Sequence, residues 1–319
     1  MKPEAHPIPV AGVRRGRRGA ILLLILWAVI MLSAILVKVY GLLSLDVEQA
    51  TVENRTVRAR LLAESGLALA RHPEIERDSP LLKYEEDGGN ASREVVFTSE
   101  GARLNLNALL AKDDDITLVR LLNSWGMKLE EAETVRDRMA DWVDGDGLTR
   151  IDGAERDAYL EAGLAAYPLN RPFQTIEEVR EVLGVAELLD EAHPGWEDSF
   201  SLHAQGGLDL QDAPAELIEV VCGVTPGEAE RFVRTRQGRD RTDGTDDDIK
   251  FESADQALRV LGVGAEEAEG LKGAVTVGGK LFRFESTGVV GGRKVTIYEI
   301  ANRGTDSRQT VSRWEHLGP

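Results

Sequence analysis

The chain has 319 residues, 42% hydrophobic and 29% charged, which is too apolar for a disordered tail and long enough for about two domains. Its formal charge is −17, so general binding to phosphate backbones starts against electrostatic repulsion. A single cysteine, Cys222, excludes a disulfide within the chain, and five scattered histidines without HExxH or paired spacing leave no His-based zinc site. Cys222 sits in an apolar run, 220–224, where a small buried side chain is expected.

Residues 1–19 hold Lys2, Arg14, Arg15, Arg17 and Arg18 against Glu4, a net +4 that leaves −21 on the remainder. Residues 20–37 carry no charge. As a helix at ~1.5 Å per residue they span ~27 Å, about one bilayer core. Arginines on the N-terminal side predict that this end stays in the cytoplasm and the rest crosses. An ordinary secretory signal has an apolar core of roughly 7–15 residues and then a small-x-small cleavage site, and this run is longer. A plain single-span anchor is a second reading. A third starts from residues 42–71, which contain no proline and one internal glycine, Gly66. Leu42, Leu45, Val52, Leu61, Leu62, Leu67 and Leu69 recur there at helical spacing among charges. One helix is expected from Ala20 to about Arg71, apolar all round at first and amphipathic after.

A basic leader ending in glycine, followed by such a helix, resembles the type IV prepilin and pseudopilin family. The resemblance implies a leader over 1–19, cleavage by a membrane peptidase between Gly19 and Ala20, and methylation of Ala20. Most members carry glutamate as the fifth mature residue; here that position is Leu24. A carboxylate in lipid costs ~2.5–3.5 kcal/mol on insertion scales and needs a partner. The resemblance implies that this partner is the amine of the preceding subunit, so a subunit with nothing ahead of it does not need the carboxylate. The exception is the K-subunit family of type II secretion, placed at the filament tip.

The middle of the chain repeats itself. Segments 125–133, 183–189, 222–230 and 261–269 each read apolar–Gly–apolar, a short turn, then a helix rich in Glu and Ala. Glycine after an apolar helical run is a C-cap signal and the following Glu suits a helix N-terminus. This is a helix–hairpin–helix pattern. The segments alternate: 104–110 and 208–218 precede the first and third, and 173–185 and 251–263 lead into the second and fourth. Phe173 to Gly184 and Phe251 to Gly262 are the same distance, 11 residues. A tandem duplication, about 104–189 and 208–271, is expected within an all-α domain at 104–273. Such hairpins often hold DNA backbones through glycine-turn N–H groups followed by basic residues. Here carboxylates follow, as in LEEAE and AEEAE, so a protein-interaction module without nucleic acid is expected. Residues 281–287 and 294–303 read as an antiparallel hairpin, and 93–100 as a further strand.

The resemblance to the K-subunit family continues through LNLNALL, residues 141–146, 153–155 before Tyr159, 173–184 and 212–216. It implies an α+β fold: a long pilin spine helix on a small antiparallel sheet, with a large all-α, SAM-like domain inserted. The expected order is leader 1–19, membrane half of the spine 20–43, the rest of the spine and first part of the sheet 44–103, inserted domain 104–273 and last strands 274–319.

Residues 144–155 fit a calcium loop in part. Asp144, Asp146, Asp152 and Glu155 fall at positions one, three, nine and twelve, while Leu148 and Thr149 break the EF-hand pattern at five and six. A solvated acidic turn is the alternative. The second repeat has a poorer loop, with Asp243, Asp246, Asp247 and Asp248. The family resemblance also implies calcium.

No GxSxG, P-loop or GxGxxG after a strand is found, and no enzyme is expected. The expected protein is a non-catalytic minor pseudopilin that starts or caps a short periplasmic filament. It is anchored once in the bacterial inner membrane, with the N-terminus cytoplasmic and the body periplasmic. The resemblance implies I and J minor pseudopilins as partners, with the major pseudopilin, secretin or secreted cargo as further ones. Rivals are a membrane-anchored DNA-binding module of a DNA-uptake system and a calcium-dependent adhesion protein.

Overall fold

The computed structural model describes residues 16–112, 116–303 and 310–318, with side chains omitted for 16–20 and 41–50. The chain divides into two compact units, Met1–Val57 and Arg58–Pro319. The first holds most of helix α1 (Gly16–Ala70). Within it, Ile21–Tyr40 has a mean hydropathy of 2.7 and no buried residue, long and apolar enough to cross a membrane. The leader over 1–19 lies outside the described residues as far as residue 15, and Gly19 and Ala20 are described only as helical backbone.

In the second unit, after α1, come strands β1 (Lys83–Glu85), β2 (Ala91–Ser99) and β3 (Leu104–Asn105). Helices α2 (Leu106–Leu110), α3 (Thr117–Ser124), α4 (Leu129–Val143), α5 (Arg156–Glu161) and α6 (Val185–Ala192) follow, then strands β4 (Phe200–Ser201) and β5 (Leu208–Asp209). Helices α7 (Ala215–Cys222), α8 (Pro226–Arg236), α9 (Ala254–Leu261) and α10 (Ala265–Gly270) lead to strands β6 (Val275–Thr276), β7 (Leu281–Val290), β8 (Arg293–Asn302) and β9 (Thr310–Gly318). The fold class is α+β.

The main sheet has the order β1-β2-β7-β8-β9, antiparallel throughout. Gly291 and Gly292, both at positive φ, close the two-residue turn between β7 and β8, a backbone shape that suits the strand twist and favours glycine. The last turns of α1 pack on this sheet through small residues. Ala59, Ala63, Leu67 and Ala70 recur at helical spacing and are buried. Opposite them, a Cβ on Gly288 would overlap the Ala59 carbonyl, and the Ser286 hydroxyl donates to the Ala63 carbonyl at 2.7 Å. Arg60–Glu315, Arg71–Glu299 and Arg313–Glu64 pairs flank the contact at 2.7–3.0 Å.

Strands β2 and β7 are neighbours, with Ser99 opposite Phe282 and Ala91 opposite Val290. The chain therefore leaves the sheet after β2 and returns to the adjacent position after residue 280. The intervening block has its own core, running from Leu104 to Val275 and including Trp142, Tyr159, Trp196, Phe200 and Phe232. Two halves of it share local geometry. In the first, β3 pairs in parallel with β4; in the second, β5 pairs in parallel with β6. Asn107 bridges the Phe173 backbone, donating to its carbonyl at 2.9 Å and accepting from its N–H at 3.0 Å. Gln211 does the same for the Ile249 carbonyl and the Phe251 N–H, both at 2.9 Å. Gly223 and Gly262 cap α7 and α9 in the left-handed conformation.

Three features differ from the sequence reading or were absent from it. Ile176–Glu181 is a 3-10 helix rather than an α-helix. Ile176, Val179 and Val182 recur every third residue, the period that aligns side chains in a 3-10 turn. Strand β9 has no apolar face to read in the sequence, because TVSRWEHLG sets Arg313 and Glu315 on the same face as Val311 and Leu317 and is exposed along most of its length. The two-residue parallel pairs are too short to leave a periodicity.

Candidate metal centre

Helix α4 sets the floor of the first acidic loop. Asp137 and Asp141, one turn apart on its buried side, both lie beneath the loop. Asp141 is 0% exposed. One of its oxygens accepts the Arg150 N–H at 3.2 Å and the other accepts from the Arg150 guanidinium at 2.7 Å. A Cβ on Gly153 would overlap this carboxylate, so the loop closes over Asp141 only with glycine there. Asp137 accepts the Asp152 N–H at 3.3 Å.

Of the four residues expected to bind calcium, three converge. One ligand oxygen each of Asp144, Asp146 and Glu155 lies within 4.8 Å of the others. Asp152 is exposed and is not among them; its backbone is held by Asp137 instead. Asp144 also pairs with Arg150, through Oδ2. Glu155 is 7% exposed, and its Oε1 and the Oδ1 of Asp144 are buried without a hydrogen-bond partner. Burial first, then the charges of Asp141 and Asp144, hold the Glu155 carboxyl above its ordinary range. Two orphaned carboxylate oxygens in a cluster short of positive charge fit a hard divalent cation, which takes 6–8 oxygen ligands. Asp137, Asp141 and Arg150, which the loop spacing alone does not point to, also hold this loop in place. The spacing of Asp137, Asp141 and Asp144 on one helical face was the available signal.

The second loop is built differently. Asp243 pairs with the buried Arg236 at 3.0 Å and accepts from Gln237 at 2.9 Å. Asp247 accepts the Arg239 N–H at 2.6 Å, and Asp248 accepts the Gly244 N–H at 2.7 Å. Asp246 lies instead with Glu76 and Asp78, all exposed. Arg77, from the same stretch as Glu76 and Asp78, pairs with Asp212, whose carboxylate also accepts the Ser99 N–H at 2.6 Å. The loop thus serves the junction between the sheet and the helical block. A second junction clamp is Glu100, fully buried, which accepts from Arg283 at 2.8 Å and from Ser201 at 2.5 Å.

The glutamates after the glycine turns have a local task. Glu131 accepts the Lys128 N–H at 3.2 Å, Glu228 that of Thr225 at 2.9 Å, and Glu267 that of Gly264 at 3.1 Å. These helix-end donors, which a phosphate would use, are taken by carboxylates. Burial pushes the Cys222 thiol up to about 12, which suits a packed side chain rather than a reactive one.

Comparison with known proteins places these features. The profile of the family described as type II secretion system (T2SS), protein K, matches residues 102–192, the stretch that carries the first acidic loop. Type II secretion system protein K of Pseudomonas aeruginosa is 28% identical over 240 residues, 73% of this chain and 67% of that protein. The chain is thus similar to type II secretion system protein K over most of its length. Type II secretion system protein K of Pectobacterium carotovorum subsp. carotovorum is 27% identical over 117 residues, 33% of this chain and 35% of that one. A chain in the crystal structure of the GspK-GspI-GspJ complex from enterotoxigenic Escherichia coli shares the fold, with a TM-score of 0.59 at 18% identity. The match covers 86% of this chain and 98% of the other.

Proposed function

We propose that this protein acts as a minor pseudopilin at the tip of a short periplasmic filament that helps drive folded proteins across the outer membrane. Helix α1 carries the reading: its Ile21–Tyr40 segment suits a membrane, and its last turns are packed on a pilin-like sheet. The role is assembly, not catalysis. The leader 1–19 is removed between Gly19 and Ala20, the N-terminus faces the cytoplasm and the body the periplasm. Leu24 stands where a buried carboxylate would otherwise need an amine ahead of it, which suits the first subunit of a filament. The complex of GspK with GspI and GspJ supports I and J minor pseudopilins as partners. The capped, carboxylate-lined helix turns weigh against the DNA-uptake reading.

Calcium is the cofactor proposed for the first loop, held by Asp144, Asp146 and Glu155. The ion would supply the positive charge that this cluster of carboxylates lacks and tie the loop to α4. The functional reading is tested by deleting the gene and by co-purifying the full chain in detergent with the I and J subunits of the same genome. Loss of type II secretion, restored by the intact gene, and recovery of all three subunits together are expected. Normal secretion in the deletion strain, or failure of I and J to co-purify, would sink it.

A further inference from the structure

Arg150 is a cation inside the loop to which calcium is assigned. Its guanidinium donates to Asp141 Oδ1 at 2.7 Å and pairs with Asp144 Oδ2, while Asp144 Oδ1 keeps no hydrogen-bond partner. Arg150 therefore shares a carboxylate with the proposed ion. Its own backbone N–H is fixed to Asp141, so the side chain is delivered to this place by the loop's conformation. Asp141 is fully buried and Arg150 is its guanidinium partner, so the pair anchors the loop.

We propose that Arg150 is a built-in competitor for calcium: it latches the ion-free loop through Asp141 and Asp144, and the ion gains Asp144 at the guanidinium's expense. The proposal rests on the calcium reading of this loop and adds the residue that sets its response. A guanidinium next to a divalent ion on one carboxylate repels it and withdraws charge from the shared ligand. The latch thus raises the calcium concentration at which the loop switches and keeps the ion-free protein folded below it. Leu148 and Ile151, 76% and 96% exposed, lie on either side of Arg150 in the loop, so the exchange bears on an exposed apolar pair.

The test uses the full chain in detergent micelles, stripped with chelator and titrated with calcium chloride by calorimetry. Arg150→Gln is expected to bind calcium about tenfold more tightly, as removal of a neighbouring like charge predicts, and to melt lower than wild type in chelator. Arg150→Lys keeps the charge and is expected to stay within about threefold of wild-type affinity. A measurement on the unmodified chain covers the case in which Arg150→Gln does not fold. Phenylglyoxal labelling of Arg150, read by peptide mass spectrometry, should rise when calcium is added. Equal or weaker binding by Arg150→Gln beside calcium-binding wild type, or labelling unchanged by calcium, overturns the competitor role alone. Absence of calcium binding by wild type overturns the calcium reading and this role with it.

Discussion

Glu155 concentrates the chemistry of the acidic loop in one side chain. Its carboxyl is held above its ordinary range by burial and by Asp141 and Asp144. A carboxyl whose pKa is raised on folding binds its proton more tightly in the folded state, so it favours folding at acid pH. That contribution is lost as pH rises through the folded pKa, and at neutral pH the ionised group is a burden. In chelator at pH 7, Glu155→Gln should raise the melting temperature of the full chain by about 2–4 °C, the size of a 1 kcal/mol change in a domain this large. Calcium at a hundredfold excess over its dissociation constant should stabilise wild type by about 2.7 kcal/mol. Asp144→Ala with Asp146→Ala should lose most of that gain, as should Glu155→Gln. Thermal melts with and without calcium check both; a double variant that gains as much as wild type would move the site elsewhere. The convergence of Asp144, Asp146 and Glu155 is legible in the sequence because spacing within a loop is local. Asp152 stands apart from these three, its backbone N–H drawn to Asp137, fifteen residues earlier.

Among the elements, the contact between α1 and the main sheet shows why small residues recur. Gly288 faces backbone, the Ala59 carbonyl, so an added methyl group has no side chain to push aside. Gly288→Ala should cost about 1–3 kcal/mol through overpacking. Gly227 in α8 has open space around it and serves as the control; Gly227→Ala should be neutral or stabilising by up to about 1 kcal/mol. Denaturant melts of the two variants decide the matter, and equal stability would remove close packing as the reason for Gly288. The long helix and the β7–β8 hairpin were readable from pattern, since apolar runs and a Gly-Gly turn are local signals. The short parallel pairs that close each half of the helical block were not, because two-residue strands form only when distant segments meet.

On the scale of the whole molecule, charge is segregated. Residues 104–273 hold 17 basic and 38 acidic residues, and the rest of 20–319 balances to zero. The spine and sheet are thus electrically neutral, whereas copies of the helical block repel one another. Combined with Leu24, 72% exposed on α1, this predicts about one copy per filament, bound to other minor subunits rather than to itself. Labelled copies recurring along the shaft would contradict that. Processing belongs to the same scale: Gly19→Val should leave the full-length precursor in the membrane, read by mass analysis of the N-terminus. A mature chain beginning at Ala20 in that variant would refute cleavage at Gly19.

The amino-acid sequence by itself determined the apolar segment, the continuous helix, the repeating glycine turns and the sign of their surface charge. Each depends on residues within a few turns of one another, where spacing alone selects the structure. Only the tertiary structure decided the rest. It joined β2 to β7 across 181 intervening residues, since strand pairing between distant segments leaves no local period. It gave Asp243 to Arg236, and it set Asp246 beside Glu76 and Asp78. It also placed Arg150 between Asp141 and Asp144, because a guanidinium finds its carboxylates through the fold that buries them.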